Sequence, residues 1–127
     1  MATSEGNAVC ATQHYSVAAL MALSRAVDCK DVTIIYRKGR IICGLSTDLV
    51  CKLAALKIKN HAAAYVHILA QDGFVPYRNG KVEFRATRPV KPLSVISVCV
   101  KHLPFEIVLG VNEYVLHNPR SQVSQMN

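Results

Sequence analysis

Residues 32–44, VTIIYRKGRIICG, carry the segment whose reading decides the fold class. The run Val32, Thr33, Ile34, Ile35, Tyr36 is β-branched and aromatic, a composition that fits a pleated, half-buried surface, so it predicts a strand. Arg37, Lys38, Gly39 and Arg40 then form a basic cluster with a glycine, which predicts a turn. A second apolar stretch, Ile41, Ile42 and Cys43, follows and closes at Gly44.

Helical periodicity lies on both sides of this segment. Upstream, Val17, Leu20, Met21 and Val27 recur at helical spacing, which predicts a helix over 16–27 with Ser16 as its N-cap and Arg25 on its polar edge. Downstream, Ser46, Thr47 and Asp48 offer capping oxygens before Leu49, Leu53 and Leu56, which predicts a second helix. Residues 61–71 place Tyr65, Ile68 and Leu69 on one face and end at Asp72 and Gly73, so a third helix is expected there, with a strand over 64–70 as the competing reading. Beyond Phe74 the pattern becomes β-rich. Residues 75–77, the Asn79-Gly80 turn and the alternating run 81–85 make a hairpin signature. Pro89 and Pro92 bracket Lys91, and 95–100, 105–109 and 114–116 are three further strand candidates. The expected fold is α/β (α+β): N-terminal helices with a short sheet, then a mainly antiparallel β C-terminal part, in one compact domain over 1–120 with a polar tail over 121–127.

With 127 residues, 51% of them hydrophobic and 18% charged, the chain can bury one core and lacks the make-up of a disordered segment. Its net charge of +7 creates a field that attracts polyanions, which favours nucleic acid as partner. Cys10, Cys29, Cys43, Cys51 and Cys99 are odd in number and contain no Cys-x-x-Cys pair, which speaks against a zinc site and a full disulfide framework and for a reducing compartment. Arg25, Lys52, Lys57 and Lys59 interrupt the apolar stretches before any reaches the roughly 20 residues a membrane span needs. Residues 1–7 hold Glu5 and no basic residue, unlike a secretory signal or an Arg-rich transit peptide.

Nucleophilic catalysis needs a base beside the nucleophile, and the candidate pairs are Cys99 with His102 and Cys51 with His61. Neither spacing is a motif, and a free cysteine in a hydrophobic run is usually a buried core residue, so the structural reading is preferred. His61 and His67 stand six apart, off the three or four residue spacing of paired helical ligands. The acidic residues are scattered singly and no Gly-rich phosphate loop is present, so no enzyme, no metal, no cofactor and no small-molecule substrate is expected. The basic residues gather where loops are expected: Arg37, Lys38 and Arg40 in one turn, Arg85, Arg88 and Lys91 around the prolines, and Arg120 near the end. Such groups neutralise phosphates, and Tyr36 and Tyr77 beside them are placed to stack on an unpaired base.

Taken in order, these pieces resemble the small-subunit ribosomal protein eight family, universal RNA-binding scaffold proteins. Residues 18–25, AALMALSR, look like the family's first helix, and 32–38 like its strand and following turn. Residues 62–77, AAAYVHILAQDGFVPY, are similar to its second helix and exit, and Lys91-Pro92 to its Lys-Pro-Gly turn. Residues 107–120, IVLGVNEYVLHNPR, follow the spacing of its terminal segment, with Gly110, Val111 and Asn112 standing where the family has Ser-Thr-Ser. The resemblance implies an insertion at 39–60, ribosomal RNA and neighbouring ribosomal proteins as partners, no membrane, and a mitochondrial setting, otherwise a cytoplasmic one. With the charge clusters, it implies RNA contacts at Arg37, Lys38, Arg40, Arg85, Arg88, Lys91, His117, Asn118 and Arg120.

Two other readings stand beside it. The segment 7–32 with the Lys38-Gly39-Arg40-Ile41 turn looks like the first half of an Alba-type nucleic-acid-binding domain, and exposed β edges would suit a protein-interaction adaptor.

Overall fold

The computed structural model describes residues 9–59, 64–77 and 82–116. Asn79-Gly80, His61, His117, Asn118, Arg120 and the 121–127 tail lie outside the described residues. Along the chain run β1 (Val9–Ala11), α1 (Tyr15–Ala26), β2 (Val32–Arg37), β3 (Arg40–Leu45), α2 (Thr47–Lys59), β4 (Ala64–Leu69), β5 (Val75–Pro76), β6 (Phe84–Ala86), β7 (Pro92–Val98) and β8 (Glu113–Leu116). The result is a mixed α+β domain with two helices and three small antiparallel sheets, ordered β1-β6-β5, β2-β3-β8 and β4-β7.

The opening segment forms a tight hairpin. Arg37 pairs with Arg40 across a two-residue turn in which Lys38 has φ 52° and Gly39 φ 77°. Two successive left-handed residues make the mirror-image turn whose twist matches that of the flanking strands. Alternation then sorts the side chains: Val32, Ile34 and Tyr36 face inward, as do Ile41, Cys43 and Leu45, while Thr33, Ile35 and Arg37 face out. On the far side of β3, β8 adds Tyr114 and Leu116 to the inner face.

Helix α1 begins at Tyr15 with His14 in the N-cap position, not Ser16, which is buried one residue inside the helix. At its other end Asp28 adopts φ 54°, and the amides of Asp28 and Cys29 donate to the carbonyls of Arg25 and Ser24. These two bonds satisfy carbonyls that a helix terminus otherwise orphans. Helix α2 is capped as its sequence suggested: the Leu49 amide donates to Ser46 Oγ at 3.1 Å, an arrangement that typically stabilises by about 1 kcal/mol. Asp48 and Lys52 add an i,i+4 ion pair at 3.2 Å.

The expected third helix is a strand. Between Ala64 and Leu69 the buried and exposed residues alternate, with Ala64 and Val66 in and Tyr65 and His67 out, and the segment pairs with β7 from Ala64↔Val98 to Leu69↔Pro92. A period of two puts the β-branched and aromatic side chains where a partner strand can use them, and a helix would bury Tyr65 or His67 instead. The competing strand reading was the right one. The later hairpin pairs Val75 with Arg85 and Pro76 with Phe84. The strand expected at 95–100 starts earlier, at Pro92, and gives way to a 3-10 turn at Val100–His102. Residues 105–109 form no strand, because their neighbour Tyr114 holds them as a loop: its ring stacks on Phe105 at 4.8 Å and its hydroxyl bonds the Val108 and Val111 backbones.

The segment 40–59 is central to the fold. It supplies β3, the central strand of its sheet, and through Ile41, Cys43, Leu45, Leu49, Val50 and Leu53 a large part of the buried core, packed on Leu20 and Leu23 of α1 and Val98 of β7. Burial pushes the Cys43 thiol up to about 11, because the fold disfavours the thiolate. Its contribution to stability is therefore complete below the ordinary thiol range and declines as pH rises from there toward 11, since the unfolded chain loses this proton first. Urea titrations across that range should show the decline flattened in Cys43→Ala relative to the parent chain; parallel curves would assign it to other groups.

Candidate nucleic-acid interface

The tip of the β2–β3 hairpin concentrates positive charge. Arg37, Lys38 and Arg40 are exposed, and none has a carboxylate partner among the described residues. Arg37 and Arg40 are cross-strand partners on the outward face, where like charges directly opposite one another destabilise a sheet. Lys38 adds a second local penalty, because an L-residue with a Cβ adopts the left-handed region at a cost of roughly 1–2 kcal/mol. The turn thus gathers three cations against both local preferences. Replacing Lys38 by asparagine, which tolerates this backbone, should raise the urea midpoint slightly. If stability is unchanged or falls, the lysine is not strained.

Strand β8 ends at Leu116 opposite Ile41, the residue after Arg40, so the chain leaves the sheet at the hairpin end. The third basic group is held elsewhere. Arg85 belongs to β6, where its Nε donates to Glu83 Oε2 at 2.7 Å and its guanidinium lies 3.6 Å from the Tyr77 ring centre. The short ion pair holds its proton more firmly than usual, and the arginine acts as a brace between two walls. Arg88 folds back over Gly73, whose φ of 85° and missing Cβ make room for it: a methyl there would stand 3.0 Å from the guanidinium. Lys91 is exposed just before β7. Fold geometry thus joins the first turn to the start of the terminal stretch and places the Arg85–Lys91 group on other elements.

Tyr36 and Tyr77 meet at one feature that spacing alone did not reveal. Both line a cleft of about 920 Å³ between α1 and the three sheets. No sequence period links residues so far apart, and the convergence comes from tertiary packing.

The structure also brings Cys99 and His102 together, with Sγ 3.6 Å from each ring nitrogen. In this turn the Cys99 amide donates to His102 Nδ1 at 3.3 Å. The contact caps the 3-10 turn at Val100–His102. The other pair, Cys51 and His61, includes a residue outside those described. Cys51 is exposed, whereas Cys29, Cys43 and Cys99 are buried. Among the described residues no group of three or more histidine, cysteine, aspartate or glutamate side chains is placed to hold a metal, and no helix is long and apolar enough to cross a membrane.

No family model matches this chain, and no curated protein or solved structure matches it either.

Proposed function

We propose that this chain is a non-catalytic RNA-binding protein, and that the assembly it serves is the small ribosomal subunit, in its mitochondrial form. The observation that carries RNA binding is the hairpin tip: three exposed cations on a strained turn with no carboxylate partner among the described residues. Unneutralised arginine and lysine on a protruding turn release counterions when they meet phosphates, and arginine makes forked contacts that lysine does not. The ribosomal setting rests on the colinear resemblance alone. In its longest matching stretch, 62–77, the described residues 64–77 are strands and a turn where the family has a helix, so the geometry supports the RNA partner more directly than the assembly.

Gradient sedimentation of the endogenous protein separates these levels. Comigration with small ribosomal subunits, abolished by ribonuclease, is the expected result. Migration with other ribonucleoprotein keeps the RNA partner and removes the ribosome. A free monomer removes both, and a free dimer points to the Alba-type reading.

One observation favours the adaptor reading as a second. On the outward face of the β2-β3-β8 sheet, Ile35, Ile42 and Val115 form a cross-strand row, with Ile35 43% and Val115 37% exposed, beside the edge of β2 that has no strand partner among the described residues. Such a row suits a protein neighbour. Salt-insensitive capture of protein by a chain that ignores RNA would select it.

A further inference from the structure

The cleft between α1 and the sheets has walls that the core does not account for. Phe74 and Tyr77 flank β5 and Phe84 lies on β6; all three are partly buried and line the cleft, yet none belongs to the hydrophobic core cluster. Tyr36 from β2, Tyr15 from α1 and Tyr65 from β4 add to the aromatic lining. The charges in the lining are Arg25 and Glu83. Glu83 is neutralised by Arg85, whereas Arg25 is exposed and faces no carboxylate among the described residues, so the uncompensated charge of the cleft is positive. Thr12, Gln13 and Gln71 add neutral donors and acceptors.

This cleft also adjoins the basic tip. Tyr36 turns inward to its lining, and the next residue, Arg37, turns outward opposite Arg40. A volume of this order lies within the range of small-ligand sites, and every base offers an aromatic face that stacks regardless of sequence.

We propose that the cleft receives an unpaired nucleotide of single-stranded RNA, its base among Phe74, Tyr77 and Phe84 and its phosphate toward Arg25, while Arg37 and Arg40 hold the flanking backbone. This rests on the RNA-binding reading above and narrows its substrate: a duplex keeps its bases stacked inside and cannot offer one to the cleft. The RNA therefore makes two kinds of contact, charge at the tip and stacking in the cleft.

The test uses the full chain and a fluorescent RNA of about ten nucleotides, presented single-stranded or as a perfect duplex, with circular dichroism to check that each variant is folded. Phe74→Ala and Phe84→Ala should each weaken single-strand binding by roughly fivefold to a hundredfold, the range of one lost base–aromatic stack, and leave duplex binding unchanged. Phe74→Tyr should retain single-strand affinity, because the ring face survives. Arg37→Ala with Arg40→Ala should weaken both forms. Equal effects of the alanine variants on single strand and duplex, or no effect on either, would overturn the cleft assignment, and continued sensitivity to the arginine pair would then leave the hairpin reading standing. Adenosine monophosphate binding as tightly as the single strand would also overturn it, in favour of a free-nucleotide site. A parent chain that binds neither RNA removes the RNA reading itself and the cleft assignment with it.

Discussion

Changing Arg37 and Arg40 together to alanine should weaken RNA binding and flatten its dependence on salt, lowering the log–log slope by roughly 1.4 for a single strand and about 1.8 for a duplex if each guanidinium neutralises one phosphate. Both side chains leave the sheet on the same face, one on each strand of a hairpin only two residues wide at its turn, so they meet adjacent phosphates as a unit. The substitution also removes a like-charge pair, so the variant should unfold at the same or slightly higher urea concentration. A loss of affinity with the fold intact is then a loss of contacts. Lys30, exposed after α1, is the control: its alanine variant changes net charge by one without touching the hairpin. If the double variant keeps the parent's slope, or if Lys30→Ala lowers it as much, the tip is an ordinary solvated surface and any RNA affinity is a diffuse property of the +7 charge.

Removing Tyr114 should have the largest effect on stability. Its side chain is buried, its ring stacks on Phe105 with the planes 24° apart, and its hydroxyl accepts from the Val108 amide at 3.1 Å while donating to the Val111 carbonyl at 2.8 Å. One residue thus fastens the 105–111 loop to β8, and Asn112 fastens the same segment to β3 by donating to the Leu45 carbonyl at 2.8 Å. Tyr114→Ala should destabilise by about 3–5 kcal/mol, the usual range for deleting a large buried aromatic. Tyr114→Phe keeps the ring and loses only the hydroxyl bonds, so about 1–2 kcal/mol is expected. Equal losses in the two variants would mean that the hydroxyl, not the packed ring, holds the loop. A loss below 1 kcal/mol in the alanine variant would mean that the loop is not part of the cooperative unit.

Asn112 also shows how a departure from a resemblance acquires a use. It stands where the ribosomal family carries a hydroxyl residue, and here its amide group ties β8 to the end of β3 and approaches Thr47 Oγ1 at 3.4 Å. Its side chain is committed to the fold.

The chain's local chemistry by itself determined the hairpin turn, the two helices and the basic tip. Each depends on neighbours a few residues apart: a glycine in the two-residue turn, a serine oxygen within reach of the third amide, apolar residues at helical spacing. Tertiary structure alone decided the rest. Residues 64–69 carry both periods, and the choice fell to β7, more than twenty residues away, whose hydrogen bonds a helix has no use for. Residues 105–109 are as apolar as a strand, yet they end as a loop because the Tyr114 hydroxyl takes up their backbone groups. The cleft is the extreme case, since Tyr36, Phe74, Tyr77 and Phe84 meet only after three sheets have packed around one helix, and convergence of that kind leaves no period in the sequence.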